Sequence, residues 1–488
     1  MNNVSAHRGF DRRSFLAGMA AMAGGIVLPG CGGSKQNTPN GSAPAPSIGD
    51  VPSPNAGDRY SLPRPSLPDP ASSNVDFVVL VTMENRSFDH FVGWVSGAEG
   101  MPANLQYNDA FGSPQTPFLL SANPSYGYQA CGHAQPDHSY QGARTQLASG
   151  AMNGWLLTPD TNKTRGDLYP IGFYGQSDLD FFRGEASSYT VCDFYFSGLL
   201  GPTFPNRIYL HSGATDRLTD STDKCTLPTI WDRFADVKVS AKYYFNDVPM
   251  VALYGDRYVG ISRLFSDFLS DAKAGTLPSF CMVDPSFIGE DEGTADDDHP
   301  FADIRNGEVL LGQIYDALRT GPNWNRTLMI IVYDEYGGFF EHVVPPIRPI
   351  SNAELALGND GRLGFRVPCA LLGPRVAAGT VSRYPFDPSS IHALLQWRFG
   401  LQPLGVRGSD PATLNLACAL EFGALPRSDA PPIAVTQGTF GGLCAGATQP
   451  SSSSSPSAID KTQSAVGAMP GSMVELRARA DTLGFPKP

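Results

Sequence analysis

Residues 78–93 read VVLVTMENRSFDHFVG. The first half, Val78-Val79-Leu80-Val81, is an uninterrupted apolar run. The second half crowds Glu84, Asn85, Arg86, Ser87, Asp89 and His90 into seven positions. The full run VDFVVLVTM (75–83) shows no apolar–polar alternation, so it predicts a strand buried on both faces, as in a parallel sheet covered by helices. Most strands end in a turn of Gly, Pro, Asn or Ser. This one ends in a carboxylate and an amide, groups that can hold a cation.

A second stretch has the same shape: TLMIIVYDE (327–335) is apolar and ends in Asp334-Glu335. VPCALLGP (367–374) predicts a third buried strand. GEVLLGQIYDALRTG (307–321) has apolar residues at helical spacing and a terminal Gly, and predicts a helix feeding the 327 strand. SSIHALLQWRFG (389–400) predicts another helix, with a Ser cap and a Gly stop. Strands and helices in this order imply an α/β fold, a three-layer α/β/α sandwich around a mostly parallel sheet.

The chain has 488 residues, 41% hydrophobic and 17% charged, with a formal net charge of −12. That balance argues against nucleic acid as a partner, which calls for Lys/Arg patches. The N-terminus reads as a targeting segment. Arg12-Arg13 precede Ser-Phe-Leu and an apolar stretch, Phe15 to Leu28, too short to span a bilayer. The pattern resembles a twin-arginine export signal. Leu28-Pro29-Gly30-Cys31 resembles a lipoprotein cleavage box, which predicts lipid on Cys31 and a membrane tether; a plain signal cut nearby is the alternative. Localisation is therefore read as exported: periplasmic, membrane-anchored or secreted. The expected organisation is a signal over 1–31, a flexible linker over 32–73, a catalytic domain over 74–447, and a low-complexity segment with a short C-terminal helix over 448–488. There are eight cysteines. With Cys31 set aside the remainder is odd, so at least one thiol stays free. No C-x-x-C pair occurs, which disfavours a cysteine zinc site.

In open parallel sheets, ligands bind beyond the carboxyl ends of the strands. Glu84-Asn85 and Asp334-Glu335 follow the two clearest strands directly. On neighbouring strand ends their charges repel unless a cation lies between them. All the donors are oxygen, which suits a hard divalent ion, although zinc also takes carboxylates. In YFSGLLGPTFPNRIYLHSG (195–213), Gly201 and Pro202 break the chain before Thr203, which predicts Thr203 as the N-cap of a helix. Beside a cation its hydroxyl would lose a proton more readily and become a nucleophile. His138 in the loop CGHAQPDHSY, His299 in ADDDHP, and His342 complete the inventory. Loop histidines beside Asp and Pro suit proton transfer or phosphate binding; His211 and His392 fall in predicted helices and read as packing.

The order of ENRSFDHFVG, PDHSY, CDFYFSGLLGPTFPNR, DDDHP and DEYGGFFEHV resembles the bacterial phosphoesterase family. That family comprises phosphatidylcholine-preferring phospholipases C, related acid phosphatases and plant non-specific phospholipases C. The similarity runs from about Val75 to about Phe422. The resemblance implies a fold similar to alkaline phosphatases. It implies one divalent metal ion (Ca, Zn, Mg or Mn) held by Glu84, Asn85, Thr203, Asp334 and Glu335, with Thr203 also the nucleophile. His138 and His299 would contact phosphate or act as general acid, and His342 would bind phosphate or lie behind the ligands. The expected substrate is a phospholipid headgroup ester, with phosphomonoester hydrolysis as the alternative and a non-catalytic metal- or ligand-binding surface lipoprotein as the rival. The absence of a C-x-P-x-R stretch disfavours a sulfatase. Three departures stand out: Glu341 where the family usually has Asp, Tyr336 after the Asp-Glu pair, and Asp387-Pro388-Ser389-Ser390 in place of a histidine-containing segment.

Overall fold

The computed structural model describes residues 62–158, 167–290, 292–444 and 470–488. The expected export signal, Cys31, most of the linker and the low-complexity break lie outside the described residues.

An eight-stranded sheet organises the fold. Its strands are β1 (Phe77–Met83), β2 (Thr190–Cys192), β3 (Ala241–Phe245), β4 (Ser262–Leu264), β5 (Phe280–Asp284), β6 (Thr327–Tyr333), β7 (Cys369–Leu372) and β8 (Thr380–Ser382). The spatial order is β8-β2-β7-β6-β1-β5-β3-β4. β1 lies at the centre, parallel to β6 on one side and β5 on the other. Both β1 and β6 are buried almost throughout. Their Val and Ile side chains favour a pleated surface, and burial on both faces explains the missing alternation.

The third expected strand exists but runs the other way. β7 is antiparallel to both β6 and β2, the single reversed strand of the sheet. It joins β6 through the long loop that carries residues 334–368, so no crossover helix is needed to bring it alongside.

Helices Asp180–Ser188, Phe265–Ala274 and Ile304–Thr320 form one group against the sheet. Thr203–Ser212, Ile230–Val237 and Pro388–Phe399 form another. Two expected caps are corrected. The 388–399 helix is capped by Asp387, whose carboxylate accepts from Ser389 N, and Pro388 fills the first turn where its missing N–H costs nothing. The Asp-Pro-Ser-Ser departure thus has a capping role. The second correction is Thr203: Pro202 is the N-cap of α1 (Thr203–Ser212), and Thr203 is its first helical residue. Its hydroxyl is consequently free of the capping bond and turns elsewhere. The helix Pro470–Leu483 buries Met473, Leu476 and Ala480 in the main core, and Thr222 donates to its Glu475 at 2.7 Å.

Candidate active site

The register of the two central strands builds the site. Met83 pairs with Tyr333 at the last rung of the β1–β6 ladder, so the next residues, Glu84 and Asp334, emerge side by side. Asp334 N donates to Met83 O at 3.0 Å. Asp334 Oδ1 accepts from Asn85 N at 3.1 Å and from Glu335 N at 2.7 Å. Asn85 turns left-handed at φ 61°, a conformation Asn tolerates. Gly337 lies against it at φ 65°, where a Cβ would sit 2.0 Å from Asn85 O.

Thr203 arrives from α1, fully buried. Its Oγ1 lies 3.3 Å from both Glu84 Oε2 and Asn85 Oδ1. Asn206 fixes the entry turn by accepting from Leu199 N and donating to Gly201 O and Pro202 O. Phe204 N donates to Asp220 Oδ1 at 2.7 Å.

Arg207, one helical turn beyond Thr203, ties three strand ends together. It donates to Glu84 Oε1 at 2.6 and 3.1 Å and to Asp284 Oδ1 at 3.0 Å, and its Nε lies 3.4 Å from Asp334 Oδ2. Neither Arg207 nor Asp284 stood out as a site residue in the sequence. Asp284 is the last residue of β5, and a carboxylate closing the run FCMVD was the available signal.

Three buried carboxylates, Glu84, Asp284 and Asp334, thus face one guanidinium, and a fourth, Glu335, is buried beside Asp334. Burial, reinforced by the Asp334 charge, pushes Glu84 up to about 8 despite Arg207. Burial raises Asp334 to about 6 and Glu335 well above the usual carboxylate range. Asp334 Oδ2 and Glu335 Oε1 have no hydrogen-bond partner. Buried acceptors without donors are costly. Orphaned oxygens and an excess of negative charge fit a divalent cation bound by oxygen donors.

His138 reaches the same cluster. Its Nδ1 donates to Pro136 O at 2.9 Å, and its Nε2 lies 3.9 Å from Glu335 Oε1. The carbonyl can only accept, so the ring proton is on Nδ1. Burial lowers its pKa to about 3. His299 is the opposite case. Burial would lower it, but the carboxylate of Glu290, 2.8 Å from Nδ1, and the charge of Glu84 hold it above its ordinary value. Its ring centroid is 6.2 Å from that of His138.

His342 joins a different constellation. Its Nδ1 lies 2.6 Å from Asp89 Oδ2. Arg366 donates to Glu341 Oε1 at 2.8 and 3.0 Å and to Asp89 Oδ1 at 3.2 Å. Glu341 also accepts from Val343 N, so the longer carboxylate in place of Asp serves to clamp Arg366 and its own loop. Asp89, Glu341 and His342 bring their ligand atoms within 4.8 Å of one another, close enough for a cation. Arg366 already supplies positive charge there. The structure therefore gathers Glu84, Asn85, Thr203, Asp334, Glu335 and His138, brings His299 to the edge of that group, and sets His342 with Asp89. His133 stacks on Tyr126 and pairs with Asp167, while His211 and His392 bond to Trp231 and to Leu210 O; these are packing arrangements.

The model of the Phosphoesterase family matches residues 75–402. Non-specific phospholipase C6 of Arabidopsis thaliana is 29% identical over 402 residues, covering 74% of each chain. Phospholipase C B of Mycobacterium tuberculosis (strain ATCC 25618 / H37Rv) is 27% identical over 427 residues, covering 74% of this chain and 80% of its own. Among solved structures, the phosphonate monoester hydrolase of Agrobacterium radiobacter overlaps with 72% of this chain and 78% of its own, at 12% identity and a TM-score of 0.34.

Proposed function

The chain belongs to the phosphoesterase family and is a hydrolase of phosphoric ester bonds, and from that premise we propose an exported, metal-dependent phospholipase C that works through Thr203. One observation carries the reading: Thr203 Oγ1 lies 3.3 Å from both Glu84 and Asn85, at the first turn of a helix. The whole helix is buried, so what marks Thr203 is not its burial but the turning of its hydroxyl toward Glu84 and Asn85.

Glu84, Asn85, Thr203, Asp334 and Glu335 would hold the metal. When bound, it would lower the pKa of the Thr203 hydroxyl and offset the phosphate charge. Thr203 Oγ1 then attacks phosphorus while the bond to the leaving alcohol breaks. A diacylglycerol alkoxide leaves poorly without a proton, and His299, whose hold on one is strengthened by Glu290 and Glu84, would supply it. His138 enters neutral with Nε2 bare, so it accepts a proton from the water that opens phospho-Thr203. Environments that push two histidines apart set such an acid and base.

The phospholipid preference follows the relatives' names and is tested by substrate. Thr203→Ala is expected to abolish release of diacylglycerol from phosphatidylcholine while leaving the melting transition in place, and Thr203→Ser to retain part of the rate. Near-native turnover by Thr203→Ala would refute the covalent mechanism. Preference for nitrophenyl phosphate with no diacylglycerol formed would assign the chain to the phosphomonoesterases. Full activity after exhaustive chelation, with no metal by elemental analysis, would remove the cation. Export is supported by Arg12-Arg13 and by the Cys131–Cys444 disulfide, a bond that persists in oxidising compartments. Replacing both arginines by lysine should retain the protein in the cytoplasmic fraction; unchanged export would refute this route.

A further inference from the structure

His299 is gripped at both ring nitrogens. Nδ1 lies 2.8 Å from Glu290 Oε2, and Nε2 lies 2.6 Å from the amide nitrogen, Nε2, of Gln135, placed to donate to it. All are buried: His299 is 2%, Glu290 6% and Gln135 9% exposed. Glu290 belongs to none of the motifs quoted above.

Its loop is built rather than merely exposed. Gly293 N donates to Glu290 O and Thr294 N to Gly289 O, each at 2.9 Å. Asn306, on the helix Ile304–Thr320, donates to Gly293 O at 2.7 Å and accepts from Phe440 N at 3.0 Å. Gln129 donates to Gly442 O at 2.6 Å and accepts from Gly442 N at 3.2 Å. The Cys131–Cys444 disulfide then ties this last segment to the loop leading into Gln135. The two groups that grip His299 therefore stand on loops joined by one strap.

We propose that Glu290 is the positioning residue for His299 in the leaving-group step, an inference that rests on the reading in which His299 protonates the leaving alcohol. A carboxylate on Nδ1–H fixes the ring's rotation, directs Nε2–H away from it and stabilises the imidazolium. Gln135 occupies the place at Nε2 where the leaving oxygen must come. An amide accepts with its oxygen and donates with its nitrogen, so a half turn lets Gln135 serve either protonation state. In the step, Thr203, its hydroxyl proton already given up to solvent, forms the bond from Oγ1 to phosphorus as the bond from phosphorus to the departing oxygen breaks. The electron pair on the departing oxygen takes the Nε2 proton. His299 is left neutral, with its remaining proton on Nδ1, beside Glu290.

The alternative is an ion pair that only stiffens the fold, and leaving-group dependence separates the two. Glu290→Ala, Glu290→Gln and His299→Ala are assayed on phosphatidylcholine vesicles, whose alcohol needs a proton, and on nitrophenylphosphocholine, whose phenolate does not. Glu290→Ala is expected to lower kcat on the lipid by about 10- to 100-fold with KM little changed, and to cost far less on the nitrophenyl ester. Glu290→Gln should lose less, because its carbonyl still accepts Nδ1–H. His299→Ala should show the same split, more strongly. Equal losses on both substrates for Glu290→Ala would overturn the inference in favour of a structural role. No loss for Glu290→Ala, beside a selective loss for His299→Ala, would overturn it while leaving the proposed mechanism standing. If His299→Ala fails to separate the substrates, the general-acid reading falls and the inference falls with it.

Discussion

Arg207→Met tests how the site balances its charge. Arg207 is fully buried and serves Glu84, Asp284 and Asp334 at once. Methionine keeps much of the volume and removes the cation. Breaking a buried pair by deleting one partner costs about 3–5 kcal/mol, and the carboxylates left behind have few other donors. They have one escape, which is to take up protons. Asp334 sits near 6 with Arg207 in place, and without that charge the folded-state value rises further. A carboxyl whose folded pKa is raised contributes stability that is complete below its unfolded pKa, near 4, and lost as pH rises through the folded value. The deficit of the variant should therefore grow with pH: toward the full 3–5 kcal/mol at pH 8 and clearly smaller at pH 5. Urea unfolding of metal-free protein at the two pH values measures it. A divalent cation should recover part of the loss at pH 8, since it replaces positive charge at the same oxygens. A deficit below about 1 kcal/mol at pH 8, or one larger at pH 5 than at pH 8, would refute this account of the charge balance.

Burial raises Asp298 from 3.8 to about 7, so the wild-type protein should lose stability between about pH 4 and pH 7. The contribution is about 4 kcal/mol at 1.36 kcal/mol per pH unit. Asp298→Asn, which keeps an acceptor for Tyr333 OH and suits the positive φ of 74°, should flatten that slope in pH-dependent urea melts. Gly337→Ala should cost about 1–3 kcal/mol and most of the activity, because its Cβ meets Asn85 O. Gly358→Ala, with φ 92° and open space around it, should cost only the backbone strain and leave kcat intact; similar losses of activity at both positions would show that the contact with Asn85 is irrelevant.

The central strands were legible because their burial is written locally. Two-sided burial removes alternation, and Val78–Val81 and Leu328–Val332 carry that mark without help from the rest of the chain. The reversal of β7 was not legible. Cys369–Leu372 is as apolar as its neighbours, and direction depends on how the 334–368 loop returns. Thr203 shows a finer limit. Gly-Pro before a helix announces a start, but whether the threonine caps the helix or opens it depends on Pro202, whose extended conformation takes the capping position and leaves the hydroxyl for Glu84 and Asn85.

The candidate ligands and their supports differ in the same way. Glu84-Asn85 and Asp334-Glu335 follow strands directly, so the strand pattern locates them and the parallel register brings them together. Asp284 closes the apolar run FCMVD and carried that same signal, whereas Arg207, Gln135 and Glu290 act through contacts between distant segments that no local pattern assigns. Glu290 is the extreme case. Its loop is held by Asn306 and by residues next to Cys444, which is bonded to a cysteine 313 positions earlier. The asymmetry has a physical origin. A cation needs several donors at one point, and strand ends supply that convergence by backbone geometry alone. A proton donor needs one ring held at one angle, and any segment that reaches it with a buried carboxylate can do the holding. Support of the second kind leaves its partners free to come from anywhere in the chain, which is why the histidine was found in the sequence and the residue that orients it was found only in the structure.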